Sequence, residues 1–494
     1  MASPGREPTV RMDLVLSGVA LTGAVGDLGA VEVTDVVQDH RAVTAGALFC
    51  CVPGSRADGH DYAGAAVAAG AAALLVERPL DLPVPQAVVP PGDVRPAMAA
   101  AACRFFGEPS HGLTVVGVTG TNGKTSVTHL VAAVLGAAGR PATVIGTLNG
   151  ARTTPEAPDL QRRLAGARAE GFTAVAVEVS SHALVQHRVA GTRFAVGVFT
   201  NLSQDHLDYH RSMEDYFEAK AGLFDREECA GAVVNRDDPW GRRLVERLAG
   251  SGRPVATYGM ADAEDVVSDS DGSTFRWRGQ QVELRVPGHF QVGNALAAAT
   301  VAEVLGLDPV SVAAGLASVG PVRGRFEVVV APPAYPATVV VDFAHTPEAL
   351  RTAIDSARRL AGAGHVLCVF GCGGDRDVDK RGAMGQVAAD GADVVVVTSD
   401  NARSEPPRAI IDQVVGGIGL EARRRVTLVV EEDRRAAIAE ALARAEAGDV
   451  VLVAGKGHET TIEAGGVVIP FDDRVVAAEL AAERAAERAW DGAG

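Results

Sequence analysis

The sequence predicts an α/β protein of three domains, and its length, its alternation of strands and helices and the placement of its polar clusters lead to that prediction. With 494 residues, the chain exceeds what one hydrophobic core usually organises. Short apolar runs alternate with helical patterns, which is typical of parallel, doubly wound sheets. Polar clusters follow the ends of several apolar runs, where such sheets bind ligands.

Two segments divide the chain into the three predicted domains. Residues 107–112 read as a linker because they combine glycine, proline and serine, and residues 331–337 form a second, proline-rich linker that is fairly stiff. We therefore expect a smaller N-terminal α/β domain over residues 1–110 and a central P-loop-type domain with a doubly wound parallel sheet over residues 111–331. A C-terminal Rossmann-like α/β domain over residues 332–494 completes the prediction.

Hydrophobic periodicity places the main elements of the second and third domains. In the central domain, strands are predicted at residues 113–118, 174–178 and 195–200, with a helix at residues 125–138. In the C-terminal domain, strands are predicted at residues 338–342, 365–370, 393–398 and 450–454, with a final helix at residues 475–489.

Composition excludes several classes of protein. The net charge of −16 disfavours binding to nucleic acid or to anionic membranes. Charged residues interrupt the apolar runs near the N-terminus, so no signal peptide is expected. No run approaches the ~20 apolar residues that a membrane helix needs, and the six cysteines show no paired spacing. We therefore expect a soluble, cytoplasmic protein that is a monomer.

Lysine is rare in this chain. Among the 46 basic residues, only four are lysines, and they are Lys124, Lys220, Lys380 and Lys456. Arginine serves wherever a generic positive charge suffices. Each lysine is therefore a candidate for a task that arginine cannot perform, such as a point charge on phosphate or a reactive amine.

A variant phosphate-binding loop joins a predicted strand to a helix. It consists of Gly120, Thr121, Asn122, Gly123, Lys124, Thr125 and Ser126. Its backbone amides can cradle phosphates at the helix N-terminus, Lys124 can reach the terminal phosphates and Thr125 can hold magnesium. The strict P-loop pattern has glycine at position 118, where this chain has Val118.

A second cluster predicts a magnesium site near this loop. Glu178 ends one predicted strand, and Asp205 and His206 follow another. Carboxylate and imidazole groups beside a phosphate loop suit a magnesium ion that neutralises phosphate charge. Lys220 lies nearby in sequence, and a neutral lysine can react with carbon dioxide to give a carbamate, which is an oxygen ligand. On spacing alone, a solvated helix lysine is the alternative.

Together these motifs resemble the Mur ligases, the ATP-dependent family that builds the peptidoglycan precursor on a UDP-sugar carrier. The resemblance covers almost the whole chain, and it rests on residues 119–126, 201–206, 216–220, 342–347 and 455–459, together with Glu178 and Arg325. It implies ATP and two magnesium ions, with N-carboxylysine at Lys220. The implied magnesium ligands are Thr125 and Glu178 for one ion and His206 and Lys220 for the other. The implied ATP contacts beyond the loop are Asn294, Arg325 and Asp342, and the implied catalytic residues are Lys124, Glu178, His206 and Lys220.

Within the family, the sequence is most similar to ligases that add 2,6-diaminopimelate to UDP-N-acetylmuramoyl-L-alanyl-D-glutamate. The implied contacts to the nucleotide sugar are His40, Ser55, Thr153, Thr154, Ser180, Gln186 and Arg188. The implied contacts to the amino acid are Arg376, Asp400, Asn401, Arg403, Gly455 and Glu459. Arg403 offers a fork for the far carboxylate of diaminopimelate, and Glu459 can hold its ammonium. L-Lysine lacks that carboxylate and would leave Arg403 unpaired.

Three departures from the family pattern leave the amino acid open. Ala402 stands where proline is usual, His40 where serine is usual, and Ile462 where glutamine is frequent. The same reaction with L-lysine, or a paralogue with another amino acid, is therefore an alternative, and meso- and L,L-diaminopimelate are not separated. A folate polyglutamate ligase, a P-loop kinase or ATPase and a nucleotide-binding scaffold are less consistent with the motifs.

Overall fold

The computed structural model of the chain describes residues 9–54 and 57–491, in which strands and helices alternate. In chain order, the strands are β1 (Val10–Arg11), β2 (Gly23–Val25), β3 (Glu32–Val33), β4 (Asp35–Val37), β5 (Ala47–Cys50), β6 (Ala73–Val76), β7 (Gln86–Val88), β8 (Thr114–Thr119), β9 (Ala142–Ile145), β10 (Ala174–Glu178), β11 (Val196–Phe199), β12 (Ala232–Asn235), β13 (Val255–Tyr258), β14 (Glu264–Ser268), β15 (Ser273–Trp277), β16 (Gln280–Leu284), β17 (Glu327–Val330), β18 (Thr338–Asp342), β19 (Val366–Phe370), β20 (Val394–Val397), β21 (Thr427–Val430), β22 (Val450–Ala454), β23 (Thr461–Ala464) and β24 (Val467–Pro470).

The helices cover the remaining regular structure. They are α1 (Met12–Val15), α2 (Ala63–Ala68), α3 (Val94–Phe105), α4 (Lys124–Ala137), α5 (Ala157–Ala169), α6 (Ser181–Val185), α7 (Met213–Ala221), α8 (Pro239–Leu248), α9 (Phe290–Val304), α10 (Pro309–Ala317), α11 (Pro347–Ala361), α12 (Asp379–Gly391), α13 (Pro407–Gly416), α14 (Leu420–Arg425), α15 (Arg434–Arg444) and α16 (Asp473–Asp491). Short 3-10 turns lie at Leu28–Ala30, His40–Ala42, Gly59–Tyr62, Pro109–Gly112, Thr147–Asn149 and Met260–Asp262.

The described residues group into two compact units. The first contains the residues up to 119 together with residues 140–198 and 219–232, and the second contains residues 120–139, 199–218 and those from 233 onward. Each unit carries part of the predicted site.

The N-terminal part of the first unit is a five-stranded sheet in the order β2–β7–β6–β5–β4. Strands β4 to β7 are parallel, and β2 pairs antiparallel with β7 at one edge. Alternate strand residues enter two cores. Leu48 and Leu75 pack with α3, whereas Phe49 and Leu74 pack with α2. Because both faces are covered, β5 and β6 are apolar along their whole length.

The first unit also contains the parallel strands β8, β9 and β10. Strand β10 pairs with β8 on one side and with β9 on the other. In this register Glu178 lies opposite Val118, so the predicted carboxylate stands at the carboxyl end of its strand. This is the edge at which ligands bind in parallel sheets.

In the second unit, the helix after the phosphate-binding loop packs against α9 and α10. The approach to α10 is close, because a Cβ atom on Gly315 would lie 2.6 Å from the Cα atom of Val134. Strands β14, β15 and β16 form a separate antiparallel sheet. This sheet was not among the sequence-based expectations.

The C-terminal sheet has the order β17–β18–β22–β19–β20–β21. All neighbours are parallel except β17, which pairs antiparallel with β18. The carboxyl ends of β18, β19, β20 and β22 therefore meet at one edge, which is where the sequence analysis places the amino-acid site. Tyr335, inside the second predicted linker, is fully buried in the core of this sheet.

The α/β fold class predicted from the sequence is confirmed by the alternating strands and helices and by the largely parallel sheets. Strands β10, β18 and β22 have the bounds expected from periodicity, and other ends differ by one or two residues, as is common where helices and strands fray. The exact domain boundaries stay a prediction. Over the part of the chain that the structure describes, no helix combines the length and the apolar character needed to span a membrane.

Candidate active site

Two glycines give the phosphate-binding loop its shape. Gly120 has φ of +150°, and a Cβ atom there would lie 1.8 Å from Oγ1 of Thr200. Gly123 has φ of +85° and directly precedes α4, and a Cβ atom there would lie 2.7 Å from Oδ1 of Asn294. Side chains are excluded at both positions, so a ligand can approach the loop backbone and the N-terminus of α4. This cradle fits an anionic phosphate.

The first turn of α4 carries the predicted polar side chains. The Nζ atom of Lys124 donates to the carbonyl oxygens of Gly120 and Thr121 at 2.9 and 2.8 Å, which holds the ammonium across the loop. Thr125 and Ser126 are buried in the same turn. The structure therefore brings the predicted phosphate-binding residues of this loop together.

The segment after β11 supports the loop by direct hydrogen bonds. Thr200 donates its hydroxyl to the carbonyl oxygen of Asn122 at 2.6 Å, and the side-chain oxygen of Asn201 accepts from the backbone N–H of Asn122 at 2.9 Å. The backbone N–H of Ser203 donates to the hydroxyl of Thr121 at 3.0 Å. Sequence reasoning assigned no role to Thr200 or Ser203. The only signal for them was that a polar cluster follows a buried strand.

Arg325 connects α4 with the end of β18. Its Nη2 atom donates to Oγ1 of Thr125 at 3.1 Å, and its guanidinium lies 4.4 Å from the ring centroid of Phe343. Asp342 accepts the backbone N–H of Phe326 at 2.6 Å. Burial raises the pKa of Asp342, although the charge of Arg325 opposes that rise. Thus two of the predicted ATP contacts, Arg325 and Asp342, meet Thr125 in one region.

The third predicted ATP contact lies beside the loop. Asn294 belongs to the first turns of α9 and donates from Nδ2 to Oε1 of Gln291 at 2.7 Å. Its Oδ1 atom faces Gly123, as the close approach to a Cβ atom there shows. The structure therefore places Asn294 next to the glycine cradle.

Asp205 is the centre of a buried charge cluster that includes His206. Its Oδ2 atom lies 3.4 Å from Nε2 of His206 and 3.6 Å from Nε2 of His345, and its Oδ1 atom lies 3.5 Å from Nζ of Lys380. Burial alone would raise the pKa of Asp205. The hydrogen bond from His345 and the charges of the surrounding bases outweigh it, so the pKa lies well below the usual range. Asp205 belongs to the predicted magnesium cluster, whereas Lys380 stands out in the sequence only as one of the four lysines.

In the first unit, Glu178 is buried and fixed by Thr147. The backbone N–H of Thr147 donates to Oε1 at 2.9 Å, and its hydroxyl donates to Oε2 at 3.1 Å. The same hydroxyl oxygen lies 3.1 Å from Oγ1 of Thr153 and, because its own proton goes to the carboxylate, it accepts the hydroxyl of Thr153. Lys220 lies in α7, and its side chain is only 1% exposed. Through Thr147, the carboxylate of Glu178 is linked to Thr153, the first of the predicted sugar-binding threonines.

The predicted nucleotide-sugar contacts of this unit converge. The hydroxyl of Thr154 donates to the carbonyl oxygen of Glu178 at 2.8 Å and accepts the backbone N–H of Ser180 at 3.0 Å. Arg188 donates to the carbonyl oxygen of Thr154 at 3.0 Å and to Oε1 of Gln186 at 2.7 Å. It also lies 3.0 Å from the carboxylate of Glu156. Two separate sequence segments thus form one polar cluster.

The two N-terminal predictions have different outcomes. The ring of His40 is stacked on Tyr62 at a centroid distance of 4.7 Å and an interplanar angle of 10°. This stack offers a flat aromatic surface close to the turn that Asp39 caps. Ser55 lies outside the described residues.

The predicted amino-acid contacts come together at the carboxyl edge of the C-terminal sheet. Asn401 donates from Nδ2 to Oε2 of Glu459 at 2.7 Å. The guanidinium of Arg403 donates to the carbonyl oxygen of Gly374 at 2.6 Å. The backbone of Arg403 has φ of +53°, and its N–H donates to the carbonyl oxygen of Glu463 at 3.0 Å. Strand β23 therefore holds this left-handed residue in place.

Asp400 and Gly455 lie beneath that surface. Gly455 has φ of +113°, and a Cβ atom there would lie 2.7 Å from Oδ2 of Asp400. Burial alone would raise the pKa of Asp400, but the charges of Arg434 and Lys456 hold it below the usual range. Arg376 is exposed in the loop after β19. Ala402 is buried and packs against Gly374, so the loop is closely packed without the usual proline.

The residues predicted to hold magnesium are divided between the units, with Glu178 and Lys220 in the first and Thr125 and His206 in the second. Across residues 9–54 and 57–491, no three His, Cys, Asp or Glu side chains form a group that could hold a metal ion. Magnesium typically takes one or two carboxylates together with substrate phosphates rather than a cage of protein ligands. The oxygen donors of Thr125 and Glu178 fit that chemistry, and their assignment stays a prediction.

The α/β fold and the phosphate cradle are consistent with an ATP-dependent ligase, and comparisons with known proteins show that class. Residues 32–105 match the Mur ligase family catalytic domain, residues 118–302 the Mur ligase middle domain, and residues 324–457 the Mur ligase glutamate ligase domain. The chain belongs to the Mur ligase family.

Individual relatives cover nearly the whole chain. The UDP-N-acetylmuramoyl-L-alanyl-D-glutamate–2,6-diaminopimelate ligase of Geobacillus kaustophilus is 44% identical over 91% of this chain and 95% of its own length. A solved structure of a ligase with the same name is 32% identical, with a TM-score of 0.66 over 97% of this chain and 99% of its own. MurF ligase from Thermotoga maritima in complex with ADP shares the fold, with 21% identity and a TM-score of 0.63 over 92% of this chain and 98% of its own.

Proposed function

We propose that this chain joins 2,6-diaminopimelate to UDP-N-acetylmuramoyl-L-alanyl-D-glutamate at the expense of ATP, a step of peptidoglycan synthesis in the cytoplasm. The observation that carries the proposal is the cluster of Asn401, Arg403 and Glu459 at the carboxyl edge of the C-terminal sheet. It combines a guanidinium for a carboxylate with a carboxylate for an ammonium. Relatives that carry this activity in their names are 40–44% identical over most of the chain.

The reaction has two steps. The side-chain carboxylate of D-glutamate attacks the γ-phosphorus of ATP, which gives an acyl phosphate and releases ADP. The neutral amine of diaminopimelate then attacks the acyl carbon, loses a proton as the amide bond forms and expels inorganic phosphate. Lys124 and the backbone amides around Gly120 and Gly123 offset the charge of the phosphates. Positioning and electrostatics therefore supply most of the catalysis.

Two further groups belong to the proposal. Magnesium would be held by the oxygens of Thr125 and Glu178 and, for a second ion, by His206 and Lys220. When bound, it would neutralise phosphate charge. Lys220, which is 1% exposed, would serve as a ligand in its carbamate form. Carbamylation converts it into an anionic oxygen donor.

The test is a reconstituted reaction. Purified chain, ATP, magnesium and UDP-N-acetylmuramoyl-L-alanyl-D-glutamate are incubated separately with meso-diaminopimelate, L,L-diaminopimelate and L-lysine. Phosphate release and product mass are recorded. We expect turnover with a diaminopimelate isomer and little with L-lysine. Turnover with L-lysine alone would keep the family and refute the diaminopimelate assignment, and hydrolysis of ATP without any amino acid would indicate a simple ATPase.

A further inference from the structure

Lys456 occupies a closed polar site directly below the amino-acid cluster. Its side chain is fully buried. The Nζ atom donates to Oε2 of Glu459 at 2.9 Å, to the carbonyl oxygen of Thr461 at 2.7 Å and to Oδ1 of Asn401 at 3.5 Å. Three acceptors around one ammonium match its three N–H groups.

These contacts determine which part of Glu459 is available to a ligand. Oε2 accepts from both Lys456 and Asn401. Within residues 9–54 and 57–491, no hydrogen bond to Oε1 is present, and the side chain of Glu459 is 34% exposed. The carboxylate is therefore held through Oε2, and Oε1 stays available to a ligand on this partly exposed side chain. Oε1 is where a substrate ammonium can bind.

Lysine suits this position better than arginine. The acceptors surround a single point, whereas a guanidinium is planar and larger and needs acceptors in a fork. The charge is also needed, because Asp400 is buried nearby and Lys456 helps to hold its pKa below the usual range. In a chain where arginine supplies almost all positive charge, a lysine here indicates a specific geometric requirement.

We propose that Lys456 is a positioning residue that orients Glu459, and with it Asn401, to receive the far ammonium of the amino-acid substrate. The inference rests on the proposed function and deepens it. Lys456 itself does not touch the substrate. Its contribution is to the affinity for an amino acid that carries an ammonium at its far end, and it is independent of the far carboxylate that Arg403 binds.

The experiment compares wild-type enzyme with Lys456→Met in the full chain. KM is measured separately for diaminopimelate, ATP and the nucleotide sugar. We expect the KM for diaminopimelate to rise at least tenfold, while the other two KM values stay within about twofold. The control is Arg358→Met, which removes the ion pair with Asp393 before β20, at the opposite edge of the same sheet. It destabilises the domain without touching the cluster, so its KM values should be unchanged.

A double-variant comparison separates positioning from general damage. Glu459→Met alone is compared with Lys456→Met/Glu459→Met, which removes both members of the ion pair. If Lys456 acts through Glu459, the two proteins should have the same KM for diaminopimelate within about twofold. Lys456→Arg should rescue poorly, because the guanidinium does not fit the three acceptors.

Several outcomes would overturn the inference. The first is an unchanged KM for diaminopimelate in Lys456→Met, and the second is an equal rise in all three KM values. The third is a KM for diaminopimelate in the double variant that equals the product of the two single effects. If wild-type enzyme used only L-lysine, the diaminopimelate assignment alone would fail. The same KM comparison would then be made with L-lysine, whose far ammonium makes the same demand on Glu459.

Discussion

Arg434 and Asp473 form an ion pair inside the C-terminal domain, with Nη2 and Oδ2 2.7 Å apart and with side chains that are 1% and 0% exposed. The same guanidinium donates to the carbonyl oxygen of Ser399 at 3.1 Å and to that of Ala454 at 2.9 Å. Both carbonyls lie at the carboxyl ends of strands that lead into the amino-acid cluster. One arginine therefore ties two loops of the site to the start of α16.

Removal of this arginine should destabilise the C-terminal domain strongly. Arg434→Met leaves the carboxylate of Asp473 buried without its partner, and breaking a buried pair from one side typically costs about 3–5 kcal/mol. The urea midpoint of the full chain should fall accordingly. The control is the adjacent Arg435→Met, whose partners Glu479 and Glu483 are exposed and whose loss should cost less than about 1 kcal/mol. Equal midpoints for the two variants would contradict the prediction.

A single methyl group at Gly120 should weaken nucleotide binding strongly. In Gly120→Ala the new Cβ atom would collide with the hydroxyl of Thr200 at 1.8 Å, so the loop must open and its amides would leave the phosphate cradle. We expect the Kd for ATP, measured by titration calorimetry, to rise at least tenfold. Gly136→Ala, in the helix that follows the loop, is the control, because its Cβ atom would meet nothing within 4 Å. ATP affinity equal to wild type in Gly120→Ala would refute the cradle.

Much of this fold follows from local patterns. Strands β10, β18 and β22 are continuous apolar runs, and a run buried on both faces has recognisable bounds even without tertiary information. The antiparallel strands β14 to β16 are not predicted, because β14 has no regular alternation and β15 and β16 alternate buried and exposed residues over only five positions each. So short an alternation is hard to separate from a loop.

Some residues of the candidate site can likewise be predicted from local sequence patterns, whereas others cannot. Lys124 and Gly120 can be predicted from the sequence, because both belong to one continuous loop in which the residues have a characteristic spacing. Asp205 and Lys380 could not be paired from sequence, because their 3.5 Å contact joins positions that are 175 residues apart. Lys456 was recognised as an unusual lysine, but its role depends on where Asn401 and Thr461 place their oxygens. Only the tertiary fold provides that information.

Loss of the guanidinium of Arg403 should remove the discrimination between diaminopimelate and L-lysine. Arg403→Met leaves the far carboxylate without its bidentate partner, and a site that loses such a contact typically weakens about 100-fold or more for the ligand that used it. We expect kcat/KM for diaminopimelate to fall by that factor while the value for L-lysine changes little. The measurement is the ratio of the two kcat/KM values.

Arg408→Met provides the matched control for that substitution. Arg408 pairs with Asp412 on the exposed face of α13, so its loss should leave both kcat/KM values unchanged. An unaltered ratio in Arg403→Met would show that another group reads the carboxylate. The exposed Arg376 would then be the next residue to test.

His458 should make the stability of the chain depend on pH below neutrality. Burial, followed by the charges of Arg325, Arg323 and Arg474, lowers the pKa of His458 from 6.5 to about 4. Between those values the unfolded chain binds the proton more tightly than the folded chain, so the free energy of unfolding falls as the pH falls through this window. The side chain is partly exposed, which limits the effect to about 1–2 kcal/mol.

His458→Phe keeps the packing against Phe343, whose ring centroid lies 4.9 Å away, but cannot bind the proton. When the pH is lowered from 7 to 4.5, the urea midpoint of the wild type should therefore fall by more than that of the variant. An equal fall in the two midpoints would rule out a neutral, buried His458.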